Sequence, residues 1–318
     1  MSGTRARGAR AANARDDRCA TGADRVEIAT DDGVRVVAHR FAAPAPRATA
    51  VVGAATGVRQ DYYFGFAGYL AERGITTFTF DYRGIGHSAP RTLRGFRATI
   101  DDWARYDYEA LLRVAGKAAP GRALLVVGHS LGAQLPALTR SADRIDAVLA
   151  IAGGSGYWAG LPPALRPFSL AMFRLAVPLA IPLAGYFPGR RLRMIGDLPA
   201  GAMRQWSRWC LHPEYLVGAE PGAREAYERA RFAILSLSFT DDWMMSQRNI
   251  DRLHSHFRSA TRESRRITPS QAGGPVGHMG FFRRRYRETL WAPAADWLLA
   301  RAADRASARH RHRPGEQS

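Results

Sequence analysis

Apolar and polar positions divide the chain into short strands and amphipathic helices. Residues 26–29 and 34–41 flank Asp31-Asp32-Gly33, which predicts two antiparallel strands joined by a tight turn. Pro44 and Pro46 mark a loop, and the apolar run 48–54 predicts a third strand. Over 61–73, Phe64, Ala67, Leu70 and Ala71 recur at helical spacing, with Gly74 placed as a C-terminal cap. Residues 75–80 are β-branched and aromatic, and predict a fourth strand running into the turn-dense Asp81-Tyr82-Arg83-Gly84-Ile85-Gly86. A helix over 101–117 offers Trp103, Tyr106, Leu111, Leu112 and Val114 as an inward stripe. The apolar runs 123–127 and 147–152 read as strands buried on both faces, with a helix over 131–139 between them in which Pro136 lies early. Strands alternating with helices in this way predict an α/β fold, with a mostly parallel central sheet covered by helices on both faces.

That rhythm breaks over 155–229, where nine prolines from Pro162 to Pro221 interrupt apolar helical pieces, and the segment reads as an inserted helical cap. Residues 168–187 are apolar enough to raise the question of a membrane span, but Arg174, Pro178 and Pro182 argue against it. The rhythm resumes with a strand over 232–238, a helix over 245–257, a short strand near Ile267 and a final helix over 282–303. The expected organisation is a core of residues 25–154 and 230–304, a cap of 155–229, and disordered basic tails at 1–24 and 305–318.

Chemistry concentrates at Gly128-His129-Ser130-Leu131-Gly132, which fits G-x-S-x-G and falls between a buried strand and a helix, the setting this pattern needs. A serine held in a sharp turn, with no Cβ two residues to either side, projects its hydroxyl into a cleft. Chance matches are common in a glycine-rich chain, yet Gly86-His87-Ser88 lacks the trailing glycine, and Gly153-Gly154-Ser155-Gly156-Tyr157 also fails. A serine at its ordinary pKa needs a base, and the base needs an orienting acid. In the chain order Ser, acid, His, the candidates are Asp241-Asp242 after the strand at 232–238 and His278 in Gly277-His278-Met279-Gly280. His212 lies in the cap, His254 and His256 on an expected helix, and His310 and His312 in the tail. Asp242 is the favoured acid, with Asp241 as the alternative or as a brace for the loop. The oxyanion donors expected are the N–H of Leu131 and one from the loop Ala55-Thr56-Gly57-Val58, with Gly57 and Val58 both open.

Charge changes this picture little. The net charge is +18, and since Lys117 is the only lysine, the excess is arginine spread along the chain. Only the tails concentrate it, so no specific nucleic-acid role is expected, and contact with an anionic membrane surface is a weaker expectation. Cys19 and Cys210 make no disulfide framework, and no apolar run of secretory length follows the basic N-terminus, so a cytoplasmic location is expected. The site implies neither a metal nor an organic cofactor; the sequence leaves oligomeric state open.

On these motifs, from about residue 26 to 303, the chain resembles the α/β-hydrolase superfamily, in its serine-aminopeptidase and monoglyceride-lipase-like branch. The resemblance implies that Asp81-Tyr82-Arg83-Gly84-Ile85-Gly86-His87-Ser88 is a largely structural loop lining the cleft. It also implies that Ser130, Asp242 and His278 form the catalytic set. Many relatives begin the oxyanion loop with His-Gly, whereas this chain has Thr56-Gly57. The function expected is hydrolysis of a carboxylic ester, thioester or amide of an apolar small-molecule acyl substrate through an acyl-serine. The rival readings are acyl transfer by the same residues and a non-catalytic binding module.

Overall fold

The computed structural model describes residues 22–192, 194 and 196–311. Eight strands form one sheet: β1 (Ala23–Ala29), β2 (Arg35–Phe41), β3 (Ala48–Gly53), β4 (Ile75–Phe80), β5 (Ala123–His129), β6 (Ala147–Ile151), β7 (Ala233–Phe239) and β8 (Arg262–Ile267), in the order β1-β2-β4-β3-β5-β6-β7-β8. β1 and β2 pair antiparallel, β2 pairs antiparallel with β4, and every other pairing is parallel. The hairpin closes where Gly33 takes φ +82°, a conformation glycine reaches without a Cβ clash. β3, β4, β5 and β6 are buried along their whole length because helices cover both faces. This is the α/β architecture the alternation predicts.

The covering helices begin with α1 (Phe64–Glu72). α2 (Glu109–Ala118) follows a π-turn at Trp103–Tyr108. Among the described residues between β6 and β7 there is no further strand, only an isolated bridge between Phe187 and Leu198. The chain forms α3 (Pro163–Ala184), α4 (Ala200–Leu211), α5 (Tyr215–Ala219) and α6 (Ala223–Arg229), in the stretch read as a cap. α7 (Gln247–His254) starts at Ser246, whose hydroxyl accepts from the Asn249 N–H at 3.1 Å. The short α8 (Pro269–Ala272) and the long α9 (Ala292–Arg311) complete the chain.

The short strand expected near Ile267 is present as β8, and two other expectations are corrected. β8 is six residues long and almost wholly exposed, an edge strand whose Arg-Glu-Ser-Arg-Arg-Ile sequence has no apolar alternation to reveal it. The last long helix starts at Ala292, later than expected, after a π-turn at Arg287–Trp291; Pro293, without an N–H for the carbonyl four residues back, sits at the join. It runs to Arg311, so the first residues of the expected C-terminal tail are helical. Most of the basic N-terminal tail and the last seven residues lie outside the described residues.

Candidate active site

Ser130 directly follows β5 and takes φ +51°, one of three non-glycine residues in the left-handed region among the described residues. A side chain there is strained, which requires the surroundings to hold it. The flanking glycines explain how. A Cβ on Gly128 would lie 2.3 Å from the Ala133 Cα, and one on Gly132 would lie 2.1 Å from the Gly53 carbonyl oxygen. The turn therefore closes directly onto the end of β3, with Ser130 half-buried at the sheet edge.

The helix expected at 131–139 is absent. Two 3-10 turns, Ser130–Ala133 and Pro136–Leu138, take its place. Pro136 has no N–H to offer the Gly132 carbonyl four residues earlier, and the Tyr108 hydroxyl donates to that oxygen instead at 3.3 Å. The Tyr227 hydroxyl likewise donates to the Gln134 carbonyl at 2.7 Å. Local N–H groups remain behind Ser130, but the summed dipole of a long helix does not.

The acid and base candidates meet. His278 Nδ1 lies 2.8 Å from Asp242 Oδ2, and both side chains are buried. The other Asp242 oxygen accepts from the N–H groups of Met244 at 2.8 Å and Met245 at 3.0 Å, so the carboxylate is fixed from both ends. Asp241 points elsewhere: its Oδ2 accepts from the Val276 N–H at 2.8 Å, bracing the loop two residues before His278. The contacts thus separate two neighbouring aspartates that the sequence leaves as alternatives.

His278 is drawn to the elbow through its own backbone. Its carbonyl accepts from His129 Nε2 at 2.9 Å, and the two imidazole centroids lie 5.4 Å apart. A carbonyl only accepts, so Nε2 of His129 carries the proton. Nδ1 then accepts from the Tyr63 hydroxyl at 2.9 Å, and that oxygen accepts from the Ala55 N–H at 2.9 Å. One chain of bonds therefore ties the loop after β3, the residue before Ser130 and the His278 loop. Tyr63 and His129 escape sequence reasoning because the bonds join residues 66 and 149 positions apart. Among the described residues no hydrogen bond joins the Ser130 hydroxyl to His278; such contacts commonly close only with substrate in place.

Of the two open oxyanion donors, Val58 is already engaged, its N–H donating to the Ala55 carbonyl at 3.1 Å. Gly57 remains, with φ +71° and its backbone against Gly196 of the cap. Thr56, which stands where many relatives have histidine, sits beside it in the same loop and is buried. The Asp81 loop is structural, as the resemblance implies. Asp81 accepts from the Gln60 and His87 N–H groups, each at 2.8 Å, and Arg83 is buried in ion pairs with Asp107 and Asp32. A cleft of about 340 Å³ adjoins this loop and Gly57, with Arg59, Ile85, Arg91 and Tyr186 in its wall; Ser130, Asp242 and His278 do not line it.

Burial, then the neighbouring His278, holds the His129 imidazolium pKa down to about 3; burial holds that of His254 down to about 4, where Nε2 faces the Gly153 carbonyl at 3.1 Å. Both are neutral in the fold, whereas in the unfolded chain they titrate near 6.5. Below that pH the unfolded state binds more protons, so stability is full above it and falls as acid is added, by up to ~1.4 kcal/mol per pH unit for each histidine. Urea unfolding between pH 6.5 and 5 should show this loss, and His254→Gln should reduce the slope; equal slopes would contradict a neutral His254.

The family described as serine aminopeptidase, S33, matches residues 45–186, a span that holds Ser130 but neither Asp242 nor His278. A soluble variant of monoglyceride lipase from Saccharomyces cerevisiae, solved with a substrate analogue, superposes with TM-score 0.62 at 14% identity, covering 88% of this chain and 96% of that one. The protein has the α/β-hydrolase fold. A monoacylglycerol lipase of Paleococcus ferrophilus aligns with this chain at TM-score 0.53 and 15% identity over 84% of it and 99% of the relative. DcsB in complex with its substrate analogue aligns at TM-score 0.61 and 12% identity over 90% and 99%.

Proposed function

We propose that this α/β-hydrolase cleaves carboxylic esters through an acyl-Ser130 intermediate. The observation that carries the reading is the buried Asp242–His278 pair at 2.8 Å, hydrogen-bonded through the His278 backbone to the residue preceding a strained serine. In this reading a rotation of the Ser130 side chain brings its hydroxyl to His278 Nε2. That nitrogen takes the proton as the oxygen attacks the substrate carbonyl, and Asp242 stabilises the imidazolium on the opposite edge of the ring. The developing oxyanion is received by the Leu131 N–H and by an N–H of the Thr56-Gly57 loop. His278 then protonates the leaving alcohol, and a water activated by the same ring releases the acid. The likeness in fold to proteins named monoglyceride and monoacylglycerol lipases supports an acylglycerol-like ester as the substrate class.

Labelling with a fluorophosphonate tests the reaction class without knowledge of the natural substrate. One adduct is expected, on the peptide that carries Ser130. A folded protein that takes up no label, or takes it on another serine, would sink the proposal.

A further inference from the structure

The cap carries a surface that ester cleavage does not use. α3 is 22 residues long, and an apolar 18-residue window within it, of mean hydropathy 1.6, is only 28% buried. One side, Ser169, Met172, Phe173, Val177 and Ile181, packs inward, and the Ser207 hydroxyl of α4 donates to the Phe173 carbonyl at 3.2 Å. The other side is open: Phe168, Leu175, Leu179 and Leu183 are 57%, 62%, 65% and 79% exposed. Leu175, Leu179 and Leu183, four residues apart, share one stripe along the helix, and the exposed Phe168 lies before the π-turn at Met172–Ala176. A helix at a water-exposed surface ordinarily carries charge on such a face, but here Arg174 is the charged residue among these leucines. The length would suit a membrane span, but the inward side is committed to the cap, so the helix can only lie flat on what covers it.

Charge identifies that cover. From residue 147 to 196 the sequence has no aspartate or glutamate and five arginines, and from 82 to 100 it has none again, with Arg91, Arg94 and Arg97 in the loop. This loop meets the end of α3. The Arg94 side chain lies against Gly185, where an added Cβ would be 2.8 Å from its Cγ, and Arg97 and Arg204 share a surface cleft with Ile181 and Pro182. An apolar stripe edged by arginine, with no acid in the same stretches of chain, matches acyl chains beneath anionic headgroups. A second copy of the chain fits less well. A helix of about 33 Å offers a stripe of a few hundred Å², short of the roughly 800 Å² per partner of a stable interface, and would set arginines against arginines.

We propose that the cap docks on anionic bilayers through α3, with the helix axis in the membrane plane and Phe168, Leu175, Leu179 and Leu183 at the boundary between headgroups and acyl chains. This docking does not depend on Ser130. The test is flotation of the full chain with phosphatidylglycerol–phosphatidylcholine vesicles and with pure phosphatidylcholine vesicles, at low and high salt. Binding is expected to the anionic vesicles, to weaken in high salt, and to survive Ser130→Ala. Replacing the two most exposed leucines together, Leu179→Ser with Leu183→Ser, should lower partitioning by about tenfold or more while leaving the fold intact by circular dichroism. Undiminished binding of that folded variant would overturn the proposal, since the basic tails would then account for the attraction. Equal binding to both vesicle types would also overturn it. So would a concentration-dependent dimer that the leucine replacements abolish without changing vesicle binding.

Discussion

Ser130→Ala should lower turnover of an activated ester such as a p-nitrophenyl ester by on the order of 10⁴-fold or more, while the unfolding free energy stays within about 1 kcal/mol of the parent. The expectation rests on chemistry at one atom. The hydroxyl is the group that would form the acyl intermediate, and alanine removes it without adding bulk to a turn whose neighbours, Gly128 and Gly132, have none to spare. Stability is expected to hold because the hydroxyl makes no hydrogen bond among the described residues, and because alanine at φ +51° suffers much the same backbone strain as serine. Kinetics and urea unfolding on one preparation check both halves. Ester turnover that persists at the parental rate would remove Ser130 from the mechanism, whatever the fold.

The second large effect should separate two adjacent aspartates. Asp242→Asn keeps an oxygen to receive the Met244 and Met245 N–H groups, but turns an uncharged amide toward His278 Nδ1. The imidazolium then loses its counter-charge and the ring loses the partner that fixes its tautomer, a change worth about 10⁴-fold in kcat. Asp241→Asn should cost less than tenfold. Its amide oxygen can still accept from the Val276 N–H, and Asp241 makes no bond to the imidazole. Measuring kcat for both variants against pH gives the result; a larger loss at position 241 would exchange the two roles.

The α/β fold and the three candidate site residues were legible in the sequence because they rest on local chemistry. Buried parallel strands need continuous apolar runs, such as 123–127, and the elbow needs glycines two residues either side of the serine, as Gly128 and Gly132 show. Where pattern is weak or several local outcomes compete, the reading stopped short. β8 pairs with β7 through its backbone and leaves its side chains in water, so its sequence carries no period to read. The chain after Ser130 contains good helix formers, and what breaks it is Pro136 together with hydroxyls of Tyr108 and Tyr227 that arrive from elsewhere to take the released carbonyls.

By itself the sequence determined the candidates: an alcohol in a strand-turn setting, a carboxylate and an imidazole further along, in an order that a parallel sheet can gather at one edge. Tertiary structure decided which aspartate meets the imidazole, that Val58 is occupied, that Tyr63 and His129 bind the site loops together, and that the outer leucines of α3 face away from the protein. The division has one physical cause. Apolar periodicity and turn chemistry act between neighbours in sequence, whereas a hydrogen bond or an exposed face depends on which distant segment comes to lie alongside.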